Sequence, residues 1–310
     1  MNNVVDMRDA FFNKLYDYVA SDKNVLILTA DHGAFGLKKI ENDYPKQYLN
    51  IGIAEQSMIG IAAGLARCGK KVYVYAINNF VSLRVLEQIN IDVCAMDLDV
   101  NIIGVGAGFT YSTDGPTHHG TQDLSCMANL PNLKVYNVTD DLSTEKLVTL
   151  SYENRGPKYF RIEKGKVPRI YKEEDKISYG CKEVKNSSGD FLVISTGFMT
   201  QVVNSVLRDT HLANKGISHL DVLKLNPLPV KKILEYSKDK HVITVEESLK
   251  SGGLGERVFS LLKENNHVGK ALNISPKNGF YFSFGDRELL HKAAKIDKES
   301  IVCKIDKFIE

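Results

Sequence analysis

Glu55 stands in the run Asn50-Ile-Gly-Ile-Ala-Glu55-Gln-Ser-Met-Ile-Gly, an acid with apolar residues on both sides. A carboxylate there has two readings. In the first turn of a helix it complements the helix dipole, worth ~0.3–1 kcal/mol. As a buried acid it is held for proton chemistry, with its pKa raised by loss of water. The stretch Ser112-Thr-Asp114-Gly-Pro-Thr-His118-His119-Gly120-Thr-Gln-Asp123 gathers two aspartates, two histidines and several hydroxyls in one Gly/Pro loop. That composition suits a binding or proton-transfer loop better than a plain turn. Adjacent histidines diverge, so a metal held by this pair would need outside ligands that the spacing does not identify.

Other candidates are weaker when taken singly. In Asn78-Asn79-Phe80-Val-Ser-Leu-Arg84, Phe80 reads as a core aromatic and Arg84, one turn later, as a surface cation. Arg161 suits a phosphate clamp or one half of an ion pair. Gly252-Gly253-Leu254-Gly255 follows an apolar run and opens a helix, where an anion could bind; such glycines more often just form the turn. Gly104-Val-Gly106-Ala-Gly108 lacks the GxGxxG spacing, so it carries no nucleotide role.

These residues need elements to position them. Apolar runs at 25–29, 71–75, 100–105, 134–138 and 158–162 read as strands. Phe12, Leu15, Tyr16 and Val19 share one helical face, and Phe80, Leu83 and Glu87 with its apolar neighbours share another. Continuous apolar strands alternating with helices predict parallel sheets covered on both faces, an α/β fold. The rhythm restarts with strands at 191–195, 218–223, 242–246 and 271–274, and helices opening near Thr200, Val230 and Gly253. A last helix is predicted from Lys298 to Phe308. Between the two halves, 166–189 is rich in Lys, Glu, Ser and Gly and reads as a surface linker. The expectation is two open, mainly parallel-sheet domains, 1–165 and 190–310.

Composition narrows the class. The chain has 310 residues with 40 Lys+Arg against 38 Asp+Glu, a net charge of +2, too balanced for a nucleic-acid stripe. Hydrophobic residues make up 43%, enough to bury a core. No apolar run approaches the ~20 residues that span a bilayer, and the acid-bearing start lacks a secretory pattern. Five scattered cysteines without a CxxC pair fit a reducing, cytoplasmic setting.

The order of the motifs is more specific than any one of them. NIGIAEQSMIGIAAGLA, then NNFVSLRVLEQI, DGPTHHGTQDLS and LPNLKVYNVTDD, resembles the carboxy-terminal portion of the transketolase family. VITVEES followed by GGLGERV resembles that family's small terminal domain, so the resemblance covers nearly the whole chain. THHGTQDLS is also similar to 1-deoxyxylulose-5-phosphate synthase. What this implies is a separately encoded carboxy-terminal subunit that binds the pyrimidine ring of thiamine diphosphate. Glu55 matches the glutamate that hydrogen-bonds a ring nitrogen and favours the tautomer that activates the thiazolium carbon. Phe80 matches the aromatic stacked on that ring, and Asp31 and His32 match a segment near the cofactor. His118 matches the histidine that contacts substrate hydroxyls and assists proton transfer. Asp114 matches a reader of an acceptor hydroxyl, while Arg161, with Arg84, stands where sugar-phosphate contacts are expected.

The resemblance also implies what lies elsewhere. Family members hold Mg²⁺ and the diphosphate through a GDG motif, and no GDG occurs in this sequence. The expectation is an amino-terminal partner subunit carrying that motif, with a heterotetramer as the assembly. There are departures: Val105-Gly106-Ala-Gly108-Phe109 replaces a stretch that usually carries a phosphate-contacting histidine, and Ile77 replaces a second aromatic. Arg84 is one residue out of register with the deoxyxylulose-phosphate synthases when Phe80 is aligned. The leading expectation is transfer of a two-carbon ketol unit between sugars, as phosphates. Decarboxylating condensation of pyruvate with an aldehyde is the alternative closest to it. A 2-oxo-acid dehydrogenase beta subunit fits less well, because DGPTHHG is unlike that group's loop. A non-catalytic binding subunit would have no need to keep Glu55.

Overall fold

The computed structural model describes residues 4–310, so the first three residues of the acid-bearing start lie outside it. The first half runs α1 (Met7–Ser21), β1 (Val25–Thr29), α2 (Phe35–Asp43), β2 (Tyr48–Asn50), α3 (Glu55–Arg67), β3 (Lys71–Ile77), α4 (Leu86–Gln88), β4 (Val100–Val105), α5 (Asp123–Met127), β5 (Lys134–Asn137), α6 (Asp141–Glu153) and β6 (Lys158–Ile162). The second half runs β7 (Cys181–Lys185), β8 (Phe191–Ser195), α7 (Phe198–Asp209), β9 (Ile217–Val222), β10 (Lys224–Asn226), α8 (Val230–Ser237), β11 (His241–Val245), α9 (Leu254–Glu264), β12 (Ala271–Ile274), α10 (Arg287–Ala294) and α11 (Lys298–Ile309). Both sheets are mainly parallel with helices on both faces, an α/β fold. Among the described residues no helix is long and apolar enough to cross a membrane.

The first sheet has seven strands in the order β10-β5-β6-β4-β3-β1-β2. Alternation assigns its two faces. In β3, Val72, Val74 and Ala76 pack towards α3, while Tyr73 and Tyr75 pack towards α1 and α2. The chain leaves β1 towards β2 and leaves β3 towards β4, in opposite directions, so a crevice opens at the carboxyl ends of β1 and β3. The loops after β1, β2, β3, β4 and β6 all end on that edge.

The second sheet has five strands in the order β12-β11-β8-β9-β7. Its apolar core on one side joins that of the first sheet through α8 and α9. On the other side α7, α10 and α11 form a separate cluster. The stretch 166–189, read as a linker, holds β7, which pairs antiparallel with β9. β10, from the second half, returns to the first sheet and pairs antiparallel with β5.

An ionic knot joins the halves. Arg287 on α10 donates to Glu163, just past β6, at 2.8 and 3.1 Å, and to Glu247, just past β11, at 2.8 Å. The Thr110 hydroxyl also reaches Glu163. Gly108, at φ 57, presses on Glu247 so closely that a Cβ would lie 2.1 Å from its Oε2. Only glycine fits there.

Two local expectations differ from the fold, at Phe80 and before α9. The helix starting at Phe80 is instead a turn, a 3₁₀ segment at Leu83–Val85, α4, and a π-helix at Ile89–Cys94. Val85, Ile89 and Val93 are buried at four-residue spacing, which a wider turn than 3.6 residues keeps on one face. In α3, Ala62 and Ala63 are buried, whereas a Cβ on Gly60 or Gly64 would meet nothing within the chain. The glycines before α9 do not offer an anion site, because Glu246 fills it: its carboxylate accepts from the Leu254 and Gly255 amides, each at 2.7 Å.

Candidate active site

Glu55 is the first residue of α3 and is 4% exposed. The preceding Ala54 supplies no side-chain cap, so the acid itself faces the positive end of the helix. Its Oε2 accepts from Arg84 Nη1 at 2.9 Å. The same guanidinium lies over the Phe80 ring, 4.0 Å from its centroid. Phe80 meets the His118 ring edge-on at 5.1 Å, and His118 meets Tyr111 at 6.0 Å. Lys164 Nζ stands 5.5 Å from the Tyr111 ring. A line of contacts thus runs from Glu55 through Arg84, Phe80, His118 and Tyr111 to Lys164.

Asn79 holds two loops of this line together. Its side-chain amide donates to the carbonyls of Thr117 and His119, at 3.1 and 3.0 Å, tying the turn of Phe80 to the loop of His118. The two histidines diverge, as adjacency predicts. His118 Nδ1 is engaged by the Thr117 hydroxyl at 2.9 Å. His119 is buried, bonded to the Ser112 carbonyl at 3.1 Å, with its pKa lowered first of all by desolvation. Asp114 is exposed at the loop tip.

His32 follows Asp31, whose φ of 54 turns the chain sharply after β1. Its ring lies 5.3 Å from Tyr75. Burial, aided by the charges of Arg8, Lys164 and His118, lowers its pKa to about 4, so the imidazole is neutral at pH 7. Asp31 is exposed and accepts from the Asn50 amide at 3.3 Å.

Arg161 stands behind the loop of His118. It is 2% exposed and its guanidinium is committed to Asp123, at 2.6 and 3.1 Å, and to the Gly120 carbonyl at 2.9 Å. Asp123 also accepts from Tyr159 at 2.7 Å and from Asn78 at 3.1 Å. This buried fork braces the loop from behind through Nε and Nη2. Gly120 is held so tightly there that a Cβ would lie 2.4 Å from the Gly106 carbonyl oxygen. Arg84 sits at Glu55 and Phe80. Lys164 and Asn79 are the site residues that sequence reasoning passed over; Lys164 lay hidden in a lysine-rich stretch.

Residues 3–169 match the transketolase pyrimidine binding domain, and residues 180–301 match the transketolase C-terminal domain. The chain belongs to the transketolase family. It is 31% identical over 308 residues to one subunit of the apulose-4-phosphate transketolase of Phocaeicola vulgatus, covering 98% of this chain and 97% of that one. It is also 31% identical to the 6-deoxy-6-sulfo-D-fructose transketolase subunit SqwH of a Clostridium species, covering 84% and 81% of the two chains. A solved structure described as a split gene transketolase, inactive beta4 tetramer, superposes with a TM-score of 0.86 at 24% identity over 98% of each chain, a likeness of fold.

Family membership implies thiamine diphosphate, and the residues of the crevice fit it. A buried carboxylate and an aromatic face stand side by side, joined by one cation. Around them the His32 Nε2, the Tyr75 and Tyr111 hydroxyls and the Asn79 Oδ1 are buried without partners among the described residues. Unpaired buried polar atoms of this kind suit a polar ligand.

Proposed function

We propose that this chain is the carboxy-terminal, pyrimidine-binding subunit of a split thiamine-diphosphate-dependent transketolase that transfers a two-carbon ketol unit between sugars, as phosphates. The observation that carries the reading is Glu55: a buried acid at a helix start, next to an aromatic face and one ring away from His118. When bound, thiamine diphosphate supplies the electron sink for breaking and remaking a carbon–carbon bond. Glu55 would hold the pyrimidine ring nitrogen by a hydrogen bond, strengthened by the low dielectric around it. Phe80 would take the ring's face, with Asp31 and His32 at its border. With Nδ1 of His118 engaged by Thr117, Nε2 is the nitrogen that moves a proton at a substrate hydroxyl. Asp114 would read an acceptor hydroxyl. Arg161, through the Nη1 that Asp123 and Gly120 do not engage, is the cation we assign to the sugar phosphate, with Lys164 as a second cation beside Tyr111.

In the same reading Mg²⁺ and the diphosphate are held by an amino-terminal companion bearing a GDG motif, the two chains forming a heterotetramer in the cytoplasm. Two features support a companion. The relatives named above are themselves called subunits. The apolar side chains of Phe35, at the start of α2, and Ile53, just before α3, are 84% and 78% exposed, and Gly60 and Gly64 face outward along α3. The test is Glu55→Ala in the assembled enzyme. Turnover should fall by about 10²–10⁴ while the two subunits still co-purify; undiminished turnover removes the mechanism. Offering ketose donors and pyruvate side by side separates ketol transfer from the pyruvate-condensing alternative.

A further inference from the structure

We infer that Arg84 is a place-holder for the cofactor's aminopyrimidine: it fills the two contacts the ring needs, and loading the site displaces it. The inference rests on the function proposed above and goes beyond it. Three observations converge on this one side chain. Its Nη1 donates to Glu55 Oε2 at 2.9 Å, which is the carboxylate assigned to the pyrimidine nitrogen. Its guanidinium carbon is 4.0 Å from the centroid of Phe80, the aromatic assigned to the pyrimidine face. And it is 43% exposed although its partner is only 4% exposed, so it enters the crevice from the open side.

The chemistry explains why an arginine can do this. A guanidinium is flat, delocalised and edged with N–H donors, so it stacks on an aromatic face while donating in its own plane to a carboxylate. A protein-bound aminopyrimidine makes the same pair of contacts. A lysine ammonium could meet Glu55 but could not lie flat on Phe80. The need is also physical. A buried carboxylate left without a partner is strongly destabilising, so an empty site requires some cation or donor at Glu55. Arg84 supplies it until the ring does.

The departure of Arg84 calls for a side-chain rotation only. Its backbone is pinned at both ends: its amide donates to the Asn79 carbonyl at 3.2 Å, and its carbonyl accepts from Gln56 Nε2 at 3.4 Å. The side chain is partly exposed and already borders water. Loading is therefore a competition, and apparent affinity is reduced by the fraction of molecules in which Arg84 is seated. A ligand must bring both a flat face and a hydrogen-bonding edge to win it.

The experiment compares wild type, Arg84→Met and Arg84→Lys in the enzyme assembled with its companion subunit and Mg²⁺, titrated with thiamine diphosphate by calorimetry and by stopped-flow. Arg84→Met should bind about tenfold tighter and associate faster, as expected when roughly nine sites in ten are closed. Arg84→Lys should fall between the two. Equal or weaker binding by Arg84→Met overturns the inference while leaving the proposed function standing. Absence of thiamine diphosphate binding to the wild-type assembly overturns both. Should Arg84→Met not fold, crystals of the wild-type assembly with thiamine diphosphate decide: Arg84 still seated on Glu55 refutes the place-holder, and Arg84 swung into solvent upholds it.

Discussion

His118 and His119 are neighbours in sequence and opposites in environment. One ring meets Phe80 and Tyr111 at the crevice; the other is buried against Phe109 and the Ser112 carbonyl. A proton carrier must be reachable, so the assignment falls on His118. His118→Ala should lower kcat by about 10²–10⁴ with the thiamine diphosphate titration unchanged; a matching loss of cofactor affinity would move His118 out of the substrate role. That Glu55, Phe80 and His118 share one crevice was legible because each sits in a motif of several residues. The buried pairing of Arg161 was not legible, for a physical reason. An arginine in a phosphate clamp and one in a buried ion pair are the same residue type, and its partner Asp123 is 38 positions away in sequence. Arg84 was placed near the site, but its pairing depends on α3 and the turn after β3 meeting in space.

At the scale of elements, long apolar strands were readable and short ones were not. β1, β4, β6, β8 and β12 coincide with apolar runs that reach a buried core. β2 and β10 have three residues each, and β7 carries lysines and a glutamate, so none makes a hydrophobic period. Interior strands also hide polar residues that have local partners. His219 on β9 bonds Ser195 on β8 at 2.7 Å, while its Nδ1 has no partner. Burial, with a smaller push from Lys185, lowers its pKa from 6.5 to about 3. The unfolded chain therefore takes up this proton near pH 6.5 while the folded chain does not. Stability from His219 is whole above that pH and is lost as pH falls towards 3. Urea denaturation at about pH 7 and about pH 5 should show wild type losing roughly 2 kcal/mol more than His219→Gln. Parallel losses in the two proteins would mean that the imidazole is already charged when folded.

On the scale of the whole molecule, the second sheet supports the site by backing its loops rather than by entering it. Arg287 stands between Glu163 and Glu247, one from each half, and lies 3.6 Å from the Phe198 ring. Removing it leaves two buried carboxylates facing each other. Arg287→Met should destabilise the chain by about 3–5 kcal/mol, seen as an earlier urea midpoint; a change within error would mean that the knot is dispensable. The two-unit organisation was visible in the repeated strand–helix rhythm. The knot was not, because its acids and its arginine are separated by 124 and 40 positions.

β10 bears on how such a polypeptide could ever have been shortened. A fragment stopping after the first half would bare the rim of β5 along its whole row of unpaired amides and carbonyls, an invitation to stick to its own kind. The cover for that rim is encoded only from Lys224 onwards, far downstream of Asn137 where β5 ends. Ribosomal synthesis must therefore run well past the loops of Glu55 and His118 before the first sheet can be finished.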